Sequence, residues 1–359
     1  MCQQNPHRHS IFCILPPYIL RAIAENGTKE QRFKALNVLS GDMTFRSLRS
    51  GGRFSLEFAR KRPLAFMLAG DKQRTIFSAN NSQTLLGVVV RAEGSPPSED
   101  IAVNEAYDGL GATHDFYWNV FNRNSIDDEG MPLYGTVHFG ENYANAFWDG
   151  QRMVFGDGDG ELFNRFTLAL DVIAHELAHG VTEDESQLQY SSQSGALNES
   201  LSDVFGSLVK QYTLNQTADQ ADWLIGAGLF TDQVQSGSDQ MAAIRSMKDP
   251  GTAYNDPVLG KDPQPKHMDN FVNTFEDNGG VHINSGIPNY AFYLAATAIG
   301  GYAWEKAGRV WYAALLDPGL KPNAKFQQFA ALTVEHAKRF DVEAEVRDAW
   351  NKVGVILAA

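Results

Sequence analysis

Apolar residues recur at helical spacing in two stretches near the start of the chain. The first stretch runs from 18 to 26, and the second runs from 29 to about 39. The pair Pro16-Pro17 precedes them and favours an extended backbone, because a proline ring disfavours the helical region for the residue before it. We therefore predict an N-terminal arm, residues 1–50, that begins extended and continues as two short helices.

A basic stretch with a pair of glycines, residues 46–62, follows these helices and has no clear period. Such a pattern is typical of a linker, where proteolytic cuts concentrate. We expect an activation region over 51–74, and a cut somewhere within about 45–75.

Between about 74 and 155 the pattern changes to short apolar and β-branched runs separated by turns, as strands require. The predicted strands include 85–91, 136–139 and 153–155. A helix is predicted over 101–122. These elements predict a β-rich domain over 75–184.

The rest of the chain is mainly helical. A strongly periodic run from about 166 to 181 ends the β-rich domain. Further helices are predicted at 195–213, 286–300, 302–315, 325–338 and 343–352. The sequence therefore predicts an α+β protein with a second, helical domain over 185–359 and the helix at 166–181 at the junction.

Composition narrows the classes of function. With 359 residues, 43% hydrophobic and 20% charged, the chain is long enough for two packed domains and an extra segment. The net charge of −13 argues against a nucleic-acid partner, which needs clustered Lys and Arg. No run of 18 apolar residues predicts a membrane helix. We expect a monomer that binds neither nucleic acid nor membrane.

The charge is divided unevenly between the arm and the body. Residues 1–62 carry 11 basic and four acidic side chains, a balance of +7, so the remainder has a balance of −20. Electrostatic attraction between a basic arm and an acidic body is one interpretation. A solvated arm that happens to be basic is the other.

The N-terminus carries little information on cellular location. Its apolar stretch is too short for a usual secretory signal and has no small-residue cleavage pattern. We expect either secretion without a recognisable signal peptide or a cytoplasmic location.

Cys2 and Cys13 are the only cysteines. They could pair, or one could touch a metal, but two inert thiols is the interpretation we favour.

The motif His175-Glu176-Leu177-Ala178-His179 carries the sharpest chemical signal. On a helix, positions i and i+4 lie on one face a turn apart, so both imidazoles reach a single ion. Glu176 projects beside that face, where its carboxylate can take a proton from a metal-bound water. Zinc suits such a nitrogen-rich site and keeps a position open for water.

A third ligand is expected on the next helix. Glu199 lies twenty residues beyond His179, and Asp203 follows Glu199 at i+4 on the same face. One acid can bind zinc while the other accepts the second N–H of a ligand imidazole and fixes its orientation. We predict His175, His179 and Glu199 as the zinc ligands, with Asp203 behind them.

These residues resemble the thermolysin family of zinc metalloendopeptidases. The likeness covers roughly residues 85–355 and rests on several ordered blocks. Besides the two motifs above, these blocks are Asn145–Gly150, Met153–Gly160, Gly195–Glu199, Arg245–Pro250 and Asp277–Gly286. The arm with Pro16-Pro17-Tyr18 is similar to the prosegment of the protealysin-like subgroup, whose members are zymogens.

The resemblance implies a role for each matched position. Glu176 would be the general base, His282 and Tyr190 would donate to the developing oxyanion, and Asp277 would orient His282. Arg245, Asn145 and Ala146 would bind the backbone of an extended peptide. The pocket after the scissile bond would be lined by Phe163, Phe166, Val172, Ile225 and Ile244, which implies cleavage before large hydrophobic residues. Each pocket residue is equally readable as core.

One departure from the family concerns calcium. Family members commonly have a paired calcium site near the zinc helices, and Asp171 matches one of its ligands. The positions at which the resemblance leads us to expect acidic residues hold Lys210, Leu224 and Ala227 instead. Calcium needs oxygen ligands, so we predict that this double site is lost or crippled and that Lys210 pairs with Asp171. Single calcium sites elsewhere stay open.

The sequence thus predicts a zinc-dependent endopeptidase made as a zymogen, which hydrolyses peptide or protein substrates by Glu-assisted attack of zinc-bound water. Its own arm is expected to act as an intramolecular inhibitor. Two alternatives remain. One is a catalytically silent zinc protein that keeps its arm, and the other is an exopeptidase or non-peptide metallohydrolase. An exopeptidase needs a group that captures the substrate terminus, and no obvious candidate is present.

Overall fold

The computed structural model describes residues 12–50 and 69–357 of the chain. The helices in these ranges are α1 (Pro17–Asn26), α2 (Lys29–Ser50), α3 (Ile101–Phe121), α4 (Leu170–Glu185), α5 (Ser192–Leu214), α6 (Asp277–Asn284), α7 (Gly286–Ile299), α8 (Ala307–Leu315), α9 (Phe326–Ala337) and α10 (Glu343–Lys352). The strands are β1 (Phe12–Cys13), β2 (Arg74–Ser78), β3 (Val88–Ala92), β4 (Leu133–Val137), β5 (Ala146–Trp148), β6 (Arg152–Phe155), β7 (Leu224–Ile225), β8 (Arg245–Ser246), β9 (Asn255–Asp256) and β10 (Gly260–Lys261).

A six-stranded sheet in the order β1-β5-β6-β4-β2-β3 organises the first half of the body. The pairs β2–β4 and β4–β6 are parallel, and the other pairs are antiparallel. Helix α3 packs against this sheet and also against α4. It begins where the Asp100 side chain accepts from the Ala102 amide, and it ends at Asn122, which adopts the left-handed conformation.

The second half is a helical bundle around α5. This helix is buried along most of its length and packs most extensively against α4. Large aromatic side chains fill the core of this bundle. Trp311 of α8 and Trp350 of α10 stack with ring centroids 6.0 Å apart, and both are at most 1% exposed. Helices α4 and α5, which carry the candidate functional residues, therefore lie side by side at the edge of a well-packed bundle.

The sequence located most elements correctly. The helices predicted at 101–122, 286–300, 325–338 and 343–352 are confirmed to within two residues at either end. The predicted strand 85–91 is shifted to Val88–Ala92, and the helix predicted from 302 begins only at Ala307. The helix predicted from 166 begins at Leu170, because Ala169 is extended and separates α4 from a short 3₁₀ turn at Phe166–Leu168.

The arm differs from the prediction in two ways. Helix α2 continues to Ser50, so the first residues of the predicted linker at 46–62 are helical rather than irregular; residues 51–68 lie outside the described part of the chain. In addition, the extended start of the arm forms β1, which pairs with β5. Strand β5 therefore lies inside the sheet, between β1 of the arm and β6 of the body.

The arm is packed against the body through apolar side chains. The side chains of Ile14, Leu15, Ile19, Leu20 and Ile23 are all at most 2% exposed and belong to the same hydrophobic core as the body. Burying an aliphatic side chain of this size stabilises the folded state by roughly 1.5–3 kcal/mol.

None of the described helices is long and apolar enough to cross a membrane.

Candidate active site

Helix α4 places His175, Glu176 and His179 in the interior. All three side chains are 0% exposed. The helix has apolar residues on both sides of this motif and is buried from Asp171 to Thr182, so its polar side chains must find partners inside the protein. The two imidazoles lie one helical turn apart, with ring centroids separated by 4.6 Å.

Glu199 of α5 completes a group of three ligand atoms. The Nε2 atoms of His175 and His179 lie 3.0 Å apart, and they lie 3.6 and 3.5 Å from the two carboxylate oxygens of Glu199. In the described part of the chain, this is the group of His, Cys, Asp or Glu side chains with ligand atoms close enough to hold a metal ion. Cys13, which the sequence left open as a metal contact, is not a member, and Cys2 lies outside the described residues.

The remaining nitrogen of each imidazole faces an acceptor. His175 Nδ1 lies 2.8 Å from Asp203 Oδ1, and His179 Nδ1 lies 2.7 Å from Asn198 Oδ1. If both Nδ1 atoms carry the proton, both Nε2 atoms present lone pairs to each other and to a carboxylate. Glu199 Oε2 is also buried and has no hydrogen-bond partner among the described residues. Such an arrangement is unfavourable without a cation between the three groups, and two imidazole nitrogens with one carboxylate suit zinc.

The charges of the group agree with metal binding. Burial and the nearby His175 lower the pKa of His179 to about 3, which favours the neutral imidazole. Burial alone would raise the pKa of Glu199, but His282, His179 and His175 outweigh it and lower that pKa to about 2. Neutral imidazoles and an ionised carboxylate are the forms that bind a metal ion.

Glu176 lies beside this group and has a different environment. Its Oε2 accepts a hydrogen bond from the Trp148 amide at 3.0 Å. Burial raises the pKa of Glu176 well above its usual range, and the negative charge of Glu199 adds to this effect. A carboxyl group with a raised pKa is suited to accept a proton and to return it.

His282, Tyr190 and Asp277 form a second cluster next to Glu199. His282 Nδ1 lies 2.6 Å from Asp277 Oδ1, and its Nε2 lies 3.2 Å from the Tyr190 hydroxyl. The Tyr190 hydroxyl donates a short hydrogen bond to Glu199. Burial would lower the pKa of His282, but Asp277 and Glu199 raise it above its usual value.

The backbone of α6 is shaped to allow this cluster. Gly279 and Gly280 follow Asp277 with φ of +87° and +76°, a region that favours glycine. The resulting tight turn lets Asp277 Oδ2 accept from the His282 amide at 2.9 Å while Oδ1 faces the imidazole. The ring of His282 is therefore held in one orientation.

Arg245 contacts both Asp203, which lies behind the metal ligand His175, and the arm. Its guanidinium is 0% exposed and donates two hydrogen bonds of 2.8 Å to the carboxylate of Asp203, which also accepts from Asn289. A third donor, Nη1, lies 3.2 Å from the carbonyl oxygen of Ile14 in the arm. The side chain of Asn145 accepts from the Leu15 amide at 3.2 Å.

The predicted apolar pocket residues are all buried. Phe163, Phe166, Val172, Ile225 and Ile244 are at most 1% exposed. Ile225 pairs with Arg245 between β7 and β8, and Ile244 donates its amide to the Ile225 carbonyl. Of these five residues, Ile225 and Ile244 therefore lie next to Arg245, whose guanidinium binds the arm.

Sequence reasoning missed several contributors to the site. The Trp148 amide donates to Glu176, Asn198 holds the second imidazole, and Asn289 supports Asp203. Asn198 stands next to Glu199 and could have been found from that position. The other two contacts join distant parts of the chain and leave no local signal.

The two halves of the chain match two descriptions of one family. "Thermolysin metallopeptidase, catalytic domain" matches residues 36–183, and "Thermolysin metallopeptidase, alpha-helical domain" matches residues 186–355. The chain belongs to the thermolysin family of metallopeptidases. The resemblance seen in the sequence is thereby confirmed, as is the two-domain α+β fold that it implied.

Relatives within the thermolysin family match almost the whole chain. An "Extracellular metalloprotease" of Pectobacterium carotovorum subsp. carotovorum is 57% identical over 348 residues, 96% of each chain. "Protease PrtS" of Photorhabdus sp. is 48% identical over 347 residues, 95% of this chain and 91% of its own. The solved "Precursor of Protealysin, Metalloproteinase from Serratia proteamaculans" superposes with a TM-score of 0.86 at 53% identity, covering 96% of this chain and 99% of its own.

This protein is therefore a zinc metalloendopeptidase, as the sequence predicted. The three buried side chains of the metal group lie within the matched family domains. The solved protealysin structure is named a precursor, and its likeness to this chain extends over 96% of the residues.

Lys210, for which the sequence predicts an ion pair in place of a calcium ligand, lies among carboxylates. Lys210 Nζ lies 3.1 Å from Asp171 Oδ2, so the predicted pairing is present. It also lies 2.8 Å from Asp222 Oδ2 and 3.4 Å from the Leu224 carbonyl oxygen. Burial would lower the pKa of Lys210, but Asp171 and Asp222 raise it well above its usual range. The ammonium group of Lys210 on α5 thus pairs with one carboxylate on α4, that of Asp171, and with a second one in the loop before β7, that of Asp222.

Proposed function

We propose that the chain is the zymogen of a zinc endopeptidase that cleaves before large hydrophobic residues and is inhibited by its own arm. The observation that carries this proposal is the position of β1. Through residues 13–15 the arm contacts His282, Ala146, Arg245 and Asn145, which are groups a peptide substrate would need. A substrate cannot occupy the cleft until the arm leaves.

The three buried ligands His175, His179 and Glu199 would hold the zinc ion. When bound, zinc supplies a Lewis acid that polarises the scissile carbonyl and acidifies water. Glu176 would take the proton from the attacking water and pass it to the leaving amine, as its raised pKa favours. His282 and Tyr190 would donate to the oxygen on which negative charge develops, with Asp277 holding His282 in place.

A substrate would bind as an added strand on β5. The Ala146 carbonyl, the Asn145 side chain and the Arg245 guanidinium offer hydrogen-bonding groups along this edge once the arm is gone. Asp203 would keep Arg245 oriented and would also fix the ring of His175. The metal ligands and the substrate-binding groups are therefore coupled through one carboxylate.

The preference for large hydrophobic residues rests on the apolar side chains predicted to line the pocket, of which Ile225 and Ile244 lie beside Arg245. Phe163, Phe166, Val172, Ile225 and Ile244 bear no charge and are buried with the arm in place. A side chain next to Arg245 would leave water for an apolar surface, which is favourable for Leu, Ile or Phe and costly for Asp. Internally quenched peptides that differ only at this residue would measure the preference. Equal rates for Leu and Asp would contradict it.

The domain limits follow from the same proposal. The arm, residues 1–50, inhibits; the activation region, 51–74, is cut; and the domains at 75–184 and 185–359 form the active enzyme. We further propose that the enzyme acts outside the cell, because its relative in Pectobacterium carotovorum is named an extracellular metalloprotease.

One experiment tests the zymogen and the catalytic residues together. Wild-type protein and the Glu176→Ala variant are purified, and their N-termini, zinc content and hydrolysis of a quenched peptide blocked at both ends are compared. We expect the wild type to lose the arm and gain activity, and the variant to bind zinc and remain full length. Full activity of uncut protein would contradict inhibition by the arm. Hydrolysis only of peptides with a free end would favour an exopeptidase, and no hydrolysis after removal of the arm would favour a silent zinc protein.

A further inference from the structure

We infer that the arm lies in the cleft as a substrate does, with the Cys13–Ile14 peptide bond at the position of bond cleavage, and that the enzyme hydrolyses this bond. The inference rests on the proposed function and adds the direction of the arm, the bond that is cut and the residue that fills the specificity pocket.

The carbonyl group of this bond faces the oxyanion donors. The Cys13 carbonyl oxygen lies 3.3 Å from His282 Nε2. The same nitrogen lies 3.2 Å from the Tyr190 hydroxyl and 3.6 Å from Glu199 Oε1. The Cys13 carbonyl is therefore next to the metal group, where a carbonyl under attack has to be.

The amide group of the same bond binds to β5, the strand that also contacts the general base. The Ile14 amide donates to the Ala146 carbonyl at 3.3 Å, and two residues farther along β5 the Trp148 amide donates to Glu176 at 3.0 Å. In amide hydrolysis, the proton that the base collects from water is delivered to the nitrogen next to the attacked carbonyl. The C=O of this bond thus contacts the oxyanion donors, and its N–H is bound to the strand that holds the base.

The residues after this bond fix the direction of the chain. Arg245 donates to the Ile14 carbonyl, and Asn145 accepts from the Leu15 amide. The register with β5 is antiparallel, with Phe12 opposite Trp148 and Cys13 opposite Phe147. A chain running the other way would present donors where acceptors stand now, so it could not make this set of hydrogen bonds.

Ile14 is the residue that follows the bond and is 0% exposed. Its carbonyl is held by Arg245, whose strand partner is Ile225 and whose neighbour is Ile244. We assign its side chain to the specificity pocket. The arm therefore carries its own example of the preferred substrate, a branched aliphatic residue after the scissile bond.

The chemical step is an ordinary hydrolysis. Water adds to the Cys13 carbonyl carbon, the bond to the Ile14 nitrogen breaks, and the nitrogen takes the proton that Glu176 has collected. The products are a chain ending in the Cys13 carboxylate and a chain beginning with the Ile14 amine. No reactant other than water is consumed.

The arm still inhibits because its new end cannot leave. After the cut, Leu15 stays bound to Asn145, and α1 stays packed through Ile19, Leu20 and Ile23. A leaving amine held beside the carboxylate has a high effective concentration, so rejoining of the bond competes with release. Inhibition ends when the docked helices dissociate, not when this bond is first cut.

The first test uses a synthetic peptide that copies residues 9–20, blocked at both ends, with active enzyme freed of its arm. Mass spectrometry of the products should show one cut, between Cys13 and Ile14. A peptide carrying Ile14→Leu should be cut at the same bond at a rate within about threefold, and one carrying Ile14→Asp at least about 100-fold more slowly. Cutting at another bond, or no cutting while a control quenched peptide is hydrolysed, would overturn the inference. If the enzyme hydrolyses neither this peptide nor the control peptide, the result contradicts the proposed endopeptidase function itself, and not only the position of the arm.

The second test uses the full chain. Full-length Ile14→Asp should hydrolyse the quenched peptide at least about tenfold faster than the wild-type precursor before any loss of the arm, while Ile14→Leu should remain inhibited. An Ile14→Asp precursor as inhibited as the wild type would overturn the assignment of Ile14 to the pocket. If this variant does not fold, the peptide series decides the question alone.

Discussion

Arg245 and Asp203 form a two-pronged ion pair in the interior, with both oxygens of the carboxylate 2.8 Å from a guanidinium nitrogen. Each member of this pair has a second contact that links it to the site. Asp203 also faces the Nδ1 of His175, and Arg245 also faces the arm. A substitution at Asp203 therefore affects both the metal site and the substrate-binding groups.

We predict that Asp203→Ala weakens zinc binding by about 10–100-fold, the usual effect of removing a group that orients a ligand imidazole. It should also destabilise the protein by about 3–5 kcal/mol, because it leaves the charge of Arg245 buried without a partner. Zinc affinity by competition with a chelator and urea unfolding would measure the two effects.

Asn198→Ala is the matched control for Asp203→Ala. Asn198 faces the other imidazole, that of His179, and is neutral. Its loss should weaken zinc binding without the large loss of stability. Equal destabilisation by the two variants would contradict the coupling through Asp203.

We predict that Glu176→Gln lowers peptide hydrolysis by about 10²–10⁴-fold, since the amide cannot accept the proton from water. Zinc content should stay at the wild-type level, because Glu176 is not a member of the metal group. His179→Ala should instead lose both zinc and activity. A Glu176→Gln enzyme that keeps a tenth or more of the wild-type rate would exclude Glu176 as the base.

We predict that Lys210→Met destabilises the protein by about 1–3 kcal/mol, because Asp171 and Asp222 then face each other without a cation. Unfolding would be followed in a Glu176→Ala background, where self-digestion cannot interfere. Lys338→Met, which breaks a pair with Glu335 at the surface, should leave stability unchanged.

A reversed charge at the same position provides a sharper test. Lys210→Glu adds a third carboxylate, so this variant should be less stable than Lys210→Met without calcium and should regain stability when calcium is added. The melting temperature of the wild type should respond less to calcium than that of Lys210→Glu. The same response in both proteins would mean that the lysine does not replace a cation.

We predict that His138 stabilises the protein in a pH-dependent manner. Hydrogen bonding to Asp157 and to Asp100 raises the pKa of His138 from 6.5 to about 9. Since the folded-state pKa is the higher one, this stabilisation is complete below about pH 6.5 and is lost as the pH rises through about 9. His138→Asn keeps a residue that tolerates the φ of +54° found here and should cost about 1–2 kcal/mol at pH 6, after allowing for solvent screening.

The measurement is the difference in unfolding free energy between His138→Asn and the parent protein, both in the Glu176→Ala background, from pH 6 to pH 10. The difference should shrink toward zero at the alkaline end. A difference that stays constant over the whole range would show that charge on His138 plays no part.

The sequence alone predicts those site residues whose role follows from their spacing along the chain. The i and i+4 positions of His175 and His179 require only a helix, and α4 is strongly periodic. Glu199 needed more, since nothing in its own stretch distinguishes a ligand from a solvated acid. It was found because the motif demanded a third ligand and because the surrounding residues resembled a known family.

The remaining features depend on contacts between distant residues. The pairing of β1 with β5 joins residues more than 130 positions apart, and a strand of two residues is too short to show an alternating pattern in the sequence. The same holds for His138, which lies between Asp100 and Asp157 only after three separate segments have packed. Such contacts follow from the complete fold and have no periodicity that would reveal them.

The ammonium group between α4 and α5 has a consequence for where the protein can mature. A positive charge that is part of the polypeptide is present in every molecule as soon as it is synthesised, in a fixed ratio of one to one. It cannot be diluted, exchanged or removed by a chelator. The contact of Lys210 with Asp171 can therefore join α4 to α5 even in surroundings poor in free metal, and a chelating agent that removes zinc from the ligands on the same two helices leaves this contact in place.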